Sequence, residues 1–412
     1  MRRIVKITGK VVLLIIGLIG VVYLGFLINE YLTGNKYVDY LKKHKLISTQ
    51  INDSIPLKFD NTFSDNQLFL VGEIHEVGTS PIIDVATFKY LNQQNNITTY
   101  IAEMDIPQSY YINRYLKDST DLSLEKILNK WVVYIGTISS EYRAKKWGNL
   151  KKYYQQLDDT KKFEVYGLNR LNDFNLLNRL LKEKLPLTYS AEIPESKDSL
   201  INWVSSNIPQ IVRTTSFSKQ DSLLLSNIEF NCSNLEKIKS RDEFMYDNFL
   251  RYYEQNDWES KKIYGCFGLY HSLQGIDNTL GGRIKTNSFL SGNMVSLIAL
   301  YNHSHLTVPS QGLPDYLADN NTYTRLPYSN GNIFLGYIKG IEDFKRVSAK
   351  NSINLFKLDG TNSPYNQSNR GLDNFSLIKL FGGIPINENR VTTDYIQYLF
   401  YVDGADWIKP EE

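Results

Sequence analysis

Six short apolar runs, each rich in β-branched or aromatic residues, constrain this chain more than any other feature. They are LFLVGE (68–73), TTYIAEM (98–104), FEVYGLN (163–169), KIYGCFG (262–268), MVSLIALYN (294–302) and YIQYLFYV (395–402). Long stretches of helical character separate most of them. SPIIDVATFKYLNQQ has apolar residues near helical spacing, and YRAKKWGNLKKYYQQL (142–157) and SRDEFMYDNFLRYYEQ (240–255) also read as helices. Strands alternating with helices predict an α/β fold with a mainly parallel central sheet. Strands that are apolar almost throughout predict that helices cover both faces of that sheet.

Two regions interrupt the alternation. Residues 170–240 carry helical periodicity without strand character and read as a helical insertion. Residues 307–390 are rich in Asn, Gly, Ser, Pro and Tyr and read as a loop-rich C-terminal region. Long loops in compact domains often serve binding.

The amino terminus has a different character. Arg2, Arg3, Lys6 and Lys10 precede a run from Val11 to Asn29 with no charged residue. About 20 apolar residues cross a bilayer as a helix, and the basic flank is expected to stay cytoplasmic. A cleavable signal peptide usually has a shorter apolar core, of about 7–15 residues. The expected organisation is therefore a transmembrane anchor at 1–30, a juxtamembrane spacer at 31–65 and a single α/β domain at 66–412. That domain is expected outside the cytoplasm, tied to the membrane through the N-terminal helix. A net charge of +2 gives no footprint for nucleic acid. Two cysteines, Cys232 and Cys266, are too few for a disulfide scaffold and read as idle thiols.

In open α/β sheets, ligands bind beyond the carboxyl ends of the strands. Glu73 and His75 fall at the end of the first run, Glu103 near the end of the second, Asn169 at the end of the third, and His271 just after the fourth. Imidazole accepts a proton near neutral pH, and a carboxylate beside it fixes its tautomer and stabilises the imidazolium. Glu73 or Glu103 is thus expected to orient His75 as a general base toward water. Ser80 and Pro81 read as the N-cap and first residue of a helix whose positive end faces the same edge. The same four groups, His75, His271, Glu73 and Glu103, contain enough donors for a divalent metal with an open position, although no HExxH spacing is present. A passive iron- or haem-holding role uses the same residue types. His303 and His305 form an HxH pair with no carboxylate nearby in sequence, and His44 reads as solvated.

The motifs resemble the erythromycin esterase, ChaN-like and TIKI/TraB superfamily. The resemblance rests on G-E-x-H after an apolar strand, a second strand ending in E-M, and Arg241-Asp242-Glu243-Phe244-Met245 with Asn248 beyond. That last element is similar to the R-D-x-x-M-x-x-N helix of erythromycin-esterase-like proteins. KIYGCFGLYHSLQ then supplies the following strand with Gly and His. The likeness spans about 67–285, with a weaker echo near 394–402. It implies an α/β core whose site is lined by Glu73, His75, Glu103 and His271, with Arg241 contacting substrate; Asn169, at the end of its own strand, is expected to reach substrate from the same edge. Two departures stand out. Esterase members generally have G-E-x-x-H, whereas Gly72-Glu73-Ile74-His75 is closer to the haem-binding ChaN-like branch. The third strand commonly ends Gly-x-Asp, and here it is Gly167-Leu168-Asn169. The resulting expectation is a membrane-anchored hydrolase of esters or amides acting on a small-molecule or peptide substrate, with no cofactor required. Its alternatives are a haem- or iron-binding protein and a metal-dependent protease.

Overall fold

The computed structural model describes all residues except 1–13, 15, 16, 18, 19, 22, 53, 131, 134, 135, 138, 139, 287–289, 291, 320, 335, 377–383 and 410–412. An eight-stranded sheet forms its centre. The strands are β1 (Lys45–Gln50), β2 (Leu68–Glu73), β3 (Thr99–Ala102), β4 (Glu164–Gly167), β5 (Ile263–Gly268), β6 (Met294–Asn302), β7 (Ser352–Lys357) and β8 (Tyr398–Asp403), in spatial order β1-β7-β8-β6-β2-β5-β3-β4. The six strands from β8 to β4 run parallel; β1 and β7 complete one side antiparallel.

Alternate side chains along each strand enter different cores, as the two-residue period of a pleated strand requires. On β2, Phe69 and Val71 join one cluster while Leu68 and Leu70 join another. On β8, Tyr398, Phe400 and Val402 face the first cluster, and Leu399 and Tyr401 the opposite side. Helix Asn35–His44 (α1) lies over that opposite side through Tyr37, Tyr40 and Leu41. Helix Ser80–Asn95 (α2) covers the first face with Ile83, Phe88 and Leu91. Helix Ile106–Leu116 (α3) follows β3, and helix Arg241–Gln255 (α4) packs Met245, Phe249 and Tyr252 on the second face. Between β4 and α4 come helices Phe174–Lys184, Leu187–Ser190, Lys197–Thr214 and Lys219–Asn234.

Residues 31–65, expected as a spacer with one short helix, contain that helix, α1, and in addition the edge strand β1. β1 is half-exposed and carries no apolar run, so its sequence gives no strand signal. β7 lies in the region expected to be loops. Its buried Ser352 and Asn354, joined by a 2.8 Å hydrogen bond, interrupt the apolar pattern. The segment expected as a membrane anchor lies largely outside the described residues. Its described part over 23–33 is helical, with Leu24, Ile28 and Leu32 exposed. Among the described residues, no helix is long and apolar enough to cross a membrane.

Candidate functional site

The carboxyl ends of β2, β3 and β5 meet flush: Glu73 stands beside Gly268, and Ala102 beside Cys266. Glu103 therefore emerges across β5 from Glu73, while the chain after Gly268 turns through a short 3₁₀ segment, Leu269–Ser272, that carries His271. A methyl group on Gly268 would lie 3.1 Å from His75 Nε2, 3.5 Å from a Glu103 oxygen and 3.5 Å from the His271 ring. Three of the expected residues thus surround one glycine, and a side chain there would intrude among them.

His75 is held from both ends. Its Nδ1 is 3.0 Å from Glu73 Oε1, and its Nε2 is 3.8 Å from Glu103 Oε2. The loop that presents it is stapled to the chain after β6 and β8. Thr307 N donates to Glu76 O, Gly78 N donates to Asp406 O, and Val77 bridges to Leu306 and Trp407. Glu76 itself has a left-handed backbone, φ 65°, uncommon for a non-glycine residue. Ser80 is not the N-cap expected; Thr79 occupies that position. The Ser80 hydroxyl instead donates to Ile74 O at 2.5 Å and contacts Tyr301 OH at 2.7 Å. It closes the turn that aims His75.

Glu103 is the hub. Its Oε2 accepts from Gly268 N at 2.6 Å; its Oε1 lies 2.7 Å from Arg241 Nη2 and 3.7 Å from His271 Nε2. His271 Nδ1 contacts Asp242 Oδ1 at 2.7 Å, and that oxygen also accepts from Leu280 N. Two imidazole–carboxylate pairs, His75–Glu73 and His271–Asp242, therefore face one another across Glu103. Asn169 does not stand free toward a ligand: its Oδ1 accepts from Arg241 Nε at 3.0 Å and so sets the guanidinium's orientation. Arg241, about a third exposed, forms the rim above a floor of buried Glu73 and Glu103.

The charges explain the protonation states. Burial works to raise the Glu103 carboxyl, but Arg241, His271 and His75 and the Gly268 N–H together hold it at about 2. Burial likewise opposes ionisation of Glu73, and Lys146 and His75 overcome it, again to about 2. For His75, burial disfavours the imidazolium; the Glu73 hydrogen bond and the two carboxylate charges outweigh this and raise its pKa.

Several participants had no sequence signal. Lys146 reaches Glu73 and Asp84 from beneath the site, and Cys266 donates to Glu73 Oε2 at 3.4 Å. Asp242 was legible only as the neighbour of Arg241. Both cysteines are free and buried. His75 and His271 each come within 4 Å of Glu103, but among the described residues no three of the four groups expected to ligate a metal bring donor atoms together. Among the described residues, only Glu73, Asp84 and Cys266 bring three donor atoms that close together, and the Lys146 ammonium joins the two carboxylates. His303 and His305 do have carboxylate neighbours, brought from far along the chain: Asp403 lies 3.1 Å from His303 and Asp406 lies 3.8 Å from His305. They line a separate depression with Arg325 and Lys350. His44 is stacked on Tyr40, with ring centroids 3.9 Å apart, rather than freely solvated.

No protein-family model and no curated protein sequence matches the chain. Solved structures do share its fold. A succinoglycan biosynthesis protein aligns at TM-score 0.62 and 15% identity over 90% of this chain and 98% of its own. A Bacillus cereus protein aligns at 0.59 and 11% over 92% and 99%. A mutant of the erythromycin esterase EreC in its open conformation aligns at 0.52 and 11% over 87% and 98%. The erythromycin-esterase-like architecture implied by the motifs is the architecture of this chain. At such identities the likeness concerns the fold alone.

Proposed function

We propose that the protein is a hydrolase of ester or amide bonds, with His75 as the general base and the N-terminal segment anchoring it to a membrane so that the domain acts outside the cytoplasm. One observation carries the reading: His75 is fixed at Nδ1 by Glu73 Oε1, while Nε2 points to the shared hub at Glu103. With a proton on Nδ1, the Nε2 lone pair is free to accept one from water. The water oxygen bonds to the carbonyl carbon as His75 takes the proton. Arg241, held by Glu103 and Asn169, offers its remaining N–H groups to the developing oxyanion. Collapse breaks the bond to the leaving alcohol or amine, which takes a proton from His271, steadied by Asp242. The resemblance to esterases and the shared fold with EreC support the reaction class. Nothing in the site's geometry specifically favours haem.

The full-length protein in detergent should cleave at least one member of an ester, lactone and amide panel. His75→Ala should reduce that rate by about 10²–10⁴-fold. Equal rates in parent and variant would remove the base from the mechanism. A Soret band on adding haem, lost in His75→Ala, would favour the binding alternative instead.

A further inference from the structure

Behind Glu73 lies a second layer of ionisable groups that the chemistry above does not use. Lys146 is 2% exposed and comes from a single turn of π-helix, Ala144–Gly148, set between α-helical segments. Such turns often occur at functional sites. Its Nζ is 2.8 Å from Asp84 Oδ2 and 3.5 Å from Glu73 Oε1. That second oxygen is the one that meets His75 Nδ1. Asp84 is also bonded by Tyr100 at 2.8 Å and Tyr264 at 2.5 Å. An ammonium sunk this deep gives up most of its hydration, and a buried pair is often no better than apolar residues of the same volume. A lysine that served packing alone would need only Asp84. This one reaches past it to the carboxylate that orients the base.

We propose that Lys146 is a positioning residue for His75: its ammonium answers the charge of Glu73 from behind, so that the imidazole in front need not. The inference rests on the reading of His75 as the base. A buried carboxylate whose only cation is an imidazolium draws a proton onto that ring, even with Cys266 and Tyr142 as neutral donors beside it, and an imidazolium has no lone pair for water. Lys146 opposes the pull of the two carboxylates toward the imidazolium, so that more of the ring keeps the neutral form in which Nδ1 donates to Glu73 and Nε2 stays open. The groups facing this unit are Glu73 and Cys266 from the sheet, Tyr142 on Glu73, Asp84 from α2 with Tyr100 and Tyr264 bonded to it, Glu103 beyond Nε2, and Arg241 and His271 around Glu103. Arg241 does for Glu103 what Lys146 does for Glu73. Each carboxylate that touches His75 thus has a permanent cation of its own.

The test needs no substrate, so it separates this proposal from the hydrolase reading. The full-length chain has five histidines, few enough for ring resonances to be followed by NMR, with His75 identified by its loss in His75→Gln. In Lys146→Met, the His75 titration midpoint should rise by about one pH unit or more. The variant Lys146→Met/Asp84→Asn removes one charge of each sign and guards against a failure to fold; its midpoint should also rise, because Glu73 still loses its cation. Where activity is measurable, the acid limb of the pH–rate profile should move up in step. An unchanged midpoint in a folded variant overturns the proposal. Failure of the charge-balanced double variant to fold would make Lys146 part of the framework only, and would overturn it equally. Loss of the hydrolase reading through an active His75→Ala would leave the titration result standing by itself.

Discussion

Glu103 touches four donors or cations: Arg241, the Gly268 N–H, His75 and His271. This crowding gives its carboxyl a pKa of about 2, against 4.5 for an unperturbed group. The folded form therefore prefers the ionised carboxylate. That stabilisation is complete above pH 4.5 and is lost as pH falls through 2, with a contribution on the order of 3 kcal/mol. Denaturant unfolding of the parent between pH 5 and pH 2 should show the loss, and Glu103→Gln should flatten the slope in that window. An identical slope in both proteins would mean that Glu103 is not held ionised by its neighbours. Arg241 makes a second claim at this scale. Lysine cannot reproduce a planar fork that contacts Glu103 and Asn169 together. Arg241→Lys should lower kcat/KM by about 10–100-fold, the worth of one charged hydrogen bond, while leaving the unfolding midpoint near the parent's.

Strand ends bring these residues together, and tight backbone packing holds the ends in place. Gly167 closes β4, where a methyl group would press on the backbone oxygen of Asp105 and come within 2.6 Å of that of Met104. Those oxygens belong to the turn that follows Glu103 and cannot move aside as a flexible side chain would. Gly167→Ala should cost about 2 kcal/mol by overpacking and disturb Glu103, so a lower urea midpoint and weaker activity are expected together. The six parallel strands were legible because their apolar runs lie deep in the sheet. Glu73, Glu103 and His271 followed from their places at the ends of such runs. β1 and β7 were not legible: one has an exposed face, and the other carries bonded polar groups inside the core. Lys146 and Asp84 lie within helical stretches, where nothing local distinguishes a buried charge from a solvated one. Asn169 was placed correctly at its strand end, but its partner Arg241 is 72 residues away, so its orienting role emerges only in three dimensions.

Across the whole molecule, the N-terminal helical segment is joined by charge to residues 340–370. Glu30, immediately after the uncharged run, is buried and meets Arg370 at 3.1 Å; Arg370 also contacts Asp343 at 2.5 Å and donates to the Glu30 backbone oxygen at 3.0 Å. Gly340 N closes the cluster on the second Glu30 oxygen. This cluster ties the helical residues 23–33 to the domain. Removing the Arg370 guanidinium would leave the two buried carboxyl groups without their bonded cation, a change that costs about 3–5 kcal/mol when it leaves buried charge uncompensated. The damage should begin locally, because the helical residues 23–33 and α1 reach the rest of the molecule in part through this cluster. In Arg370→Met, hydrogen exchange over 23–44 should accelerate well before the amides of β2 and β5, which sit at the sheet's centre. Arg370→Met/Asp343→Asn should recover part of the loss, since it removes one of the stranded charges. Uniform acceleration across the sheet would show instead that the cluster supports the global fold, and that the N-terminal helices are held by their apolar contacts alone.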